Sequence, residues 1–414
     1  MEIKQCKRCL YKSNHPLGLT IDEEGICSGC RIHEEKDNLN WKQRWENLKS
    51  IIEPYKSRNK YNYDCIIPVT GGNDSYYIVH LAKNKLGLNP LLVTYNKYFN
   101  TPLGINNLSN LRIKFNCDIV IQNVNPLSVK KITKETLRRT GNIYWHCLAG
   151  QSVFPVQIAL KYKVPLIIWG SHQGVEQVGM FSHTHEVEMT RRYRKDHDLM
   201  GIEADDLLNI ENTLSEGDIW QYRYPSDYEI NSIGIRGIYL GNYVRWDPKA
   251  QHEEMIKRYN YKTSSFPRTF DCYDYTDCYN YMDIHDLLKF FKHGYSKVTD
   301  HACREIRFGR ITRNQAIKIV SHYQFKELRY EKLFAKWLNI PNESLTFLLN
   351  QFRNKNYWEE VDIDKWKFKE SKIEKELSQK KINLILDEKS KFIKNNNLDM
   401  GNKSKYIIFG KGYP

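Results

Sequence analysis

Short apolar runs alternate with amphipathic stretches through the middle of the chain. Asp64–Thr70 (DCIIPVT), Pro90–Tyr95 (PLLVTY), Asp118–Gln122 (DIVIQ) and Pro165–Trp169 (PLIIW) are too short for helices and apolar enough for strands buried on both faces. Ile235–Leu240 is a weaker fifth candidate. Between them, Tyr76–Leu86, Leu108–Phe115 and two segments within 126–163 place apolar residues at helical spacing. This alternation predicts an α/β fold: a doubly wound, parallel, five-stranded sheet with right-handed crossovers. Ahead of it, His33–Tyr55 reads as one polar helix with Leu39, Trp45, Leu48 and Ile52 near helical spacing. Residues 180–230, charged and aromatic, read as an insertion. After residue 247 the pattern is helical, over 248–259, 281–293, 298–308 and 313–322. The stretch 328–414 is Lys-rich, with one well-started helix after Pro341-Asn342-Glu343-Ser344 and a tail expected to fray from Lys389.

Composition narrows the class without choosing a partner. With 41% hydrophobic and 27% charged residues, the chain has the balance of a soluble globular protein. The 63 Lys and Arg against 49 Asp and Glu give a net charge of +14, which suits nucleic acid or an anionic substrate. Lysine is scattered and forms no single stripe, so charge leaves that choice open. No apolar run reaches the roughly 18 residues a membrane helix needs. The start, Met1 to Cys6, lacks the apolar core of a signal peptide, and a cytoplasmic location is expected.

Four of the ten cysteines fall in metal-ligand spacing. Cys6 and Cys9 form one CxxC pair, Cys27 and Cys30 another, with seventeen residues between them. Each knuckle puts two sulfurs on one side of a tight turn, and two knuckles complete a tetrahedron suited to structural Zn²⁺. Some thirty residues cannot bury an adequate core, so the metal would hold this segment together. Gly25-Ile26-Cys27-Ser28-Gly29 also matches a G-x-C-x-G nucleophile elbow, but no buried strand precedes it and Cys27 is needed in the knuckle. Cys65, Cys117, Cys147, Cys272, Cys278 and Cys303 are expected as free thiols.

Thr70-Gly71-Gly72-Asn73-Asp74-Ser75 follows the first strand and opens a helix. Two glycines let backbone amides approach an anion closely, the helix N-terminus adds positive potential, and Ser75 adds a hydroxyl. Asp74 stands where a carboxylate can hold Mg²⁺ against phosphates. The loop lacks the GK[ST] ending of a Walker motif and is not GxGxxG.

On these residues the loop resembles the SGGxDS loop of the PP-loop ATP pyrophosphatases, with Thr70 in place of the usual Ser and Asn73 where many members carry Lys. The N-terminal CxxC…GxCxxC, the strand ending Trp169-Gly170, Glu176-x-x-Gly179, Tyr295–His301, Arg304–Arg307 and Gly309–Arg313 extend the similarity to the N-acetyl sugar amidotransferases, over roughly residues 1–325. The organisation this implies is a zinc ribbon at 1–32, a linker helix at 33–60, an ATP domain at 61–325 with its insertion near 180–230, and a Lys-rich helical region at 326–414. ATP contacts are expected from Thr70, Gly71, Gly72, Asn73, Asp74 and Ser75, and from Tyr95 and Gly170 at the carboxyl ends of strands two and four. Asp74, Lys297 and Glu176 are the candidate catalytic residues, with Lys297 replacing the cation absent at Asn73. His172 suits either a proton carrier or, the favoured reading, a polar loop residue. The cluster Tyr243, Arg245, Trp246 and Asp247 suits either stacking on a ligand or core packing.

The resemblance implies an ATP-dependent ligase that converts a sugar acetamido group to an acetamidino group in surface-glycan or flagellin-glycan synthesis, releasing AMP and pyrophosphate. The acceptor would be a nucleotide-linked N-acetyl sugar, with no membrane or nucleic acid as partner. Because the chain has no room for a glutamine-hydrolysing unit, a separate glutaminase would supply ammonia. The competing expectation is a tRNA-modifying thiolase that grips RNA with the ribbon. Cys147 has no second cysteine three residues on, which weighs against sulfur transfer.

Overall fold

The computed structural model describes residues 3–57, 62–208, 213–363, 365–369 and 388–395. Five parallel strands form the central sheet: β1 (Cys65–Pro68), β2 (Pro90–Tyr95), β3 (Ile119–Gln122), β4 (Leu166–Trp169) and β5 (Arg236–Tyr239), in the order β3-β2-β1-β4-β5. The chain winds outward from β1 through β2 to β3, then returns to the other side of β1 for β4 and β5. The reversal puts the carboxyl end of β1 at the topological switch point, where open α/β sheets bind ligands.

Helices cover both faces: α1 (Ser28–Asn38), α2 (Trp41–Ile52), α3 (Asn73–Val79), α4 (Pro102–Phe115), α5 (Pro126–Thr140), α6 (Trp145–Tyr162), then short α7 (Arg191–Tyr193), α8 (Glu216–Ile219) and α9 (Asp227–Ile233), and α10 (Pro248–Tyr259). Strand side chains alternate between two cores. Ile66, Leu91, Val93 and Ile167 pack with Phe154, Val156 and Ile158 of α6. Ile67, Leu92, Ile168 and Ile238 pack instead with Leu48 and Ile52 of α2, Val79 of α3, Leu111 and Phe115 of α4 and Met255 of α10. Local chemistry sets the helix starts: Thr101 and Asp247 each cap a helix that opens on proline, α4 and α10.

Beyond α10 come α11 (Tyr279–His293), α12 (Lys297–Arg307), α13 (Arg313–Tyr323), α14 (Glu331–Leu338), α15 (Asn342–Asn350) and an antiparallel hairpin of β6 (Trp358–Asp362) and β7 (Lys365–Phe368). Several sequence expectations change here. Ser28 already starts a helix, so Cys30 lies inside α1, and the single linker helix becomes α1 and α2 separated at Leu39-Asn40. The ribbon is not a detached piece: Cys6, Cys9, Leu10, Tyr11, Leu19, Cys27 and Cys30 share a core with Val298, Ala302 and Cys303 of α12 and Ile317 and Ile319 of α13. The region after 326 contains α14 and the hairpin, neither foreseen, and it is not separate either. Phe334, Trp337, Leu345 and Leu349 share one core with Phe99, Leu137 and Tyr281, and with Leu199, Leu207 and Tyr222 from the 180–230 insertion. Nor does the tail fray from Lys389. Phe392 packs on Tyr273 and Phe270, and Asn395 hydrogen-bonds the backbone oxygen of Tyr261. Residues 396–414 lie outside the described residues.

Leu92 is fully buried in the middle of β2. Leu92→Ala should lower unfolding free energy by about 2–5 kcal/mol, measured by chemical denaturation, because the packed sheet–helix interface cannot close over the cavity.

Candidate active site at the glycine-rich loop

The loop between β1 and α3 is shaped by its own side chains. The Ser75 hydroxyl accepts the Thr70 amide (2.9 Å), and the Thr70 hydroxyl accepts the Gly72 amide (2.9 Å). A Cβ at Gly71 would lie 1.9 Å from the backbone oxygen of Gly104 in the first turn of α4, so only glycine fits between these two segments. A Cβ at Gly72 would stand 3.1 Å from a carboxylate oxygen of Asp277. Asp74 projects from the first turn of α3, with one carboxylate oxygen 3.4 Å from Nε2 of buried His252 on α10. The Asn73 side chain lies outside the described residues.

The segment 269–278 lies over this loop. The Thr276 hydroxyl lies 3.4 Å from the Gly71 carbonyl, and the Thr101 amide donates to the Asp277 carbonyl (3.0 Å). The Asp277 carboxylate hydrogen-bonds Thr70 and forms a buried ion pair with Lys97, two residues beyond the end of β2. Burial would favour the neutral form of each group. For Asp277 the charge of Lys97 outweighs burial and holds the carboxyl below its usual range; for Lys97 the charge of Asp277 does the converse and holds it protonated.

Farther back, the same segment meets α12. His301 Nε2 is 2.8 Å from Asp274 and its Nδ1 is 2.6 Å from the Thr269 hydroxyl. Arg304 donates to Asp271 at 2.5 Å and lies 3.8 Å from Asp274. Asp271, Asp274 and His301 are close enough together to hold a cation, but Arg304 already neutralises the carboxylates. Asp300, one turn earlier, accepts from Tyr11 of the ribbon (2.8 Å) and Gln177 (3.0 Å), and pairs with Lys289 and Lys297. Burial would raise its carboxyl; the two lysines outweigh burial and hold it well below the usual range.

The ribbon fits zinc. All four sulfurs are buried and lie within 4.8 Å of one another, compatible with the ~3.8 Å edge of a tetrahedron whose Zn–S bonds are about 2.3 Å. The Cys9 and Cys27 amides point at Cys6 Sγ (3.4 and 3.3 Å), and Arg307 approaches Cys27 Sγ at 3.8 Å, so thiolate charge has partners ready.

Of the expected catalytic residues, only Asp74 stands at the loop. Lys297 opens α12 with its ammonium 3.6 Å from Asp300 and 5.3 Å from the centre of the Tyr275 ring. Glu176 lies in a π-helical turn (Gly174–Val178) and binds buried Lys36 of α1 at 2.5 Å. Tyr95 turns away from the loop: its hydroxyl meets Tyr222 (2.7 Å) and His146 (3.1 Å), and its ring packs on Gly150. Gly170 is a packing position, where a Cβ would meet Ile78 at 3.1 Å and Trp246 at 3.2 Å. His172 is buried, accepts the Gly174 amide, and is pushed down to about 4 by burial, as suits a structural loop residue. Tyr243 and Trp246 are core residues, while Asp247 pairs with Arg310.

Sequence reasoning missed Lys97, His252, Asp277 and the Asp271–Asp274 pair. Lys97 had a usable signal, since it follows a predicted strand at its ligand-binding end. Spacing also hid a second thiol: Cys278 joins Cys147 in the core around Lys97. Burial raises both thiols, Cys278 to about 12, which makes them poor nucleophiles.

Sheet order, switch-point loop and cysteine ribbon define a doubly wound α/β fold with an N-terminal four-cysteine ribbon. Residues 251–372 match the family described as LPS biosynthesis protein WbpG-like, C-terminal domain. The chain is also similar to an uncharacterized protein, MJ1599, of Methanocaldococcus jannaschii, 26% identical over 122 residues. That alignment spans 29% of this chain and 42% of the relative's length. Among solved structures, NMN synthetase from Francisella tularensis overlays with 13% identity and a TM-score of 0.26, covering 47% of this chain and 93% of that one. An overlay this loose carries no argument.

Purified protein should contain about one zinc per chain on four thiolates. Metal analysis checks this, and an iron–sulfur absorption band would contradict it. Cys9→Ser should loosen residues 3–38, read as increased proteolysis there.

Proposed function

We propose that the chain is an ATP-utilising ligase of glycan synthesis that converts a sugar acetamido group to an acetamidino group. The observation that carries this reading is the Thr70–Ser75 loop, with two glycines at the switch point of the sheet and Asp74 on its helix. The WbpG-like match over 251–372 supports a glycan substrate.

An amide carbon is a poor electrophile, so the reaction needs activation. The acetamido oxygen would attack the α-phosphate of ATP, and pyrophosphate would leave. Ammonia would then add to the resulting imidate carbon and expel AMP, leaving the amidine. The Gly71–Gly72 backbone lets amides approach the phosphates, and the α3 N-terminus adds positive potential where charge develops on the leaving group. Mg²⁺ would neutralise phosphate charge, and Asp74 is the residue placed to hold it. His252, beside Asp74, would orient that carboxylate. A separate glutaminase would supply ammonia, and the buried, raised thiols near Lys97 favour this chemistry over sulfur transfer to RNA. No described helix is long and apolar enough to cross a membrane.

Incubation with ATP, Mg²⁺, ammonium and nucleotide-linked N-acetyl sugars should yield AMP, pyrophosphate and a sugar lighter by about one dalton, read by mass spectrometry. ADP as product would remove the adenylation step, and modification of tRNA with the sugars unchanged would replace this reading. Asp74→Ala should lower kcat by about 100-fold or more while leaving the fold intact.

A further inference from the structure

The glycine-rich loop of this chain lacks a lysine: Asn73 stands where many of the loops it resembles carry one. The sheet supplies a cation by another route. Lys97 follows the carboxyl end of β2, the strand paired with β1, so it emerges on the same edge of the sheet as the loop. The residue is 6% exposed, far too buried for a solvated surface lysine. Burying a charged lysine is costly unless an anion stands beside it. Here the anion is Asp277, and its position is informative.

The Asp277 carboxylate takes a hydrogen bond from Thr70 and lies 3.1 Å from where a Gly72 Cβ would be, in space left vacant by the glycine. Its backbone is fixed by the Thr101 amide, and a Gly104 Cβ would fall 2.3 Å from the Asp277 Cα. An acceptor carrying negative charge therefore occupies the glycine cradle, between a hydroxyl and a lysine. Those are the partners a phosphate needs.

Resting on the ATP reading above, the geometry points to Lys97 as the phosphate-binding lysine, delivered by β2 instead of by the loop, with Asp277 as an internal anion that fills the phosphate position until nucleotide displaces it. Phosphate and carboxylate compete for the same cation, so Asp277 weakens nucleotide binding and Lys97 strengthens it. Because 269–278 also carries Asp274, bonded to His301, displacement of Asp277 would be felt at α12.

Calorimetric titration of the full chain with Mg²⁺–ATP, and separately with inorganic pyrophosphate, tests this without sugar or ammonia. Lys97→Met should weaken both ligands by about tenfold or more, the loss of a charge-assisted contact. Asp277→Asn should bind both at least as tightly as the parent. Lys97→Met alone strands a buried carboxylate and can fail to fold, so Lys97→Met/Asp277→Asn, which removes both charges, is the deciding variant. Folded by circular dichroism, it should bind weakly. Parental affinity in that double variant, or tenfold weaker binding in Asp277→Asn, would overturn the assignment. A parent chain that binds neither ligand would overturn the ATP reading together with it.

Discussion

The constraint on which the rest depends is the burial of charge on α12. Asp300 is 7% exposed and yet ionised, because Lys289 and Lys297 surround it and Tyr11 and Gln177 donate to it. One turn on, half-buried Arg304 pairs with the buried carboxylates of Asp271 and Glu305. Buried ions are weak devices for raw stability, but removing one partner costs about 3–5 kcal/mol because the other remains uncompensated. Each ion must therefore keep its partner in place. Besides Lys297 and Glu305 on α12 itself, these partners come from four places: the ribbon, the turn after β4, α11 and the segment above the glycine-rich loop.

That arrangement explains why the ribbon packs as one body with the α/β sheet and its helices. The ribbon's Tyr11 touches Asp300; Arg307, on the same helix, reaches Cys27 Sγ and the carbonyls of Glu176 and Gln177. Glu176 returns to α1 through Lys36, whose ammonium also meets the Trp246 carbonyl. From α12 the path continues through His301 and Asp274 to Thr276 and Asp277 on the loop. A metal at the ribbon would thus act on the loop only through these fixed charges.

Much of the fold was legible because the sheet is buried on both faces. Strands Pro90–Tyr95 and Pro165–Trp169 were continuous apolar runs, and α10 announced itself with Asp247 and Pro248. The cysteine spacing and Thr70–Ser75 loop carry their chemistry locally. What sequence could not give was made by long-range pairing. Lys97 and Asp277 are 180 residues apart, and Asp74 and His252 meet only when α10 crosses α3. The partners of Lys297 and Glu176 were equally out of reach of the sequence: Lys297 pairs with Asp300 and Glu176 with Lys36, 140 residues away. The hairpin of β6 and β7 escaped because most of its exposed residues are charged, leaving Trp358, Trp366 and Phe368 as its packed apolar face.

Hydrogen exchange on Asp300→Asn tests the coupling most directly. Loss of that one charge should increase exchange in the ribbon around Tyr11 and in residues 269–278 together, with the central strands unchanged. Increased exchange confined to α12 itself would contradict the account, since the helix would then be a passenger between two independent sites.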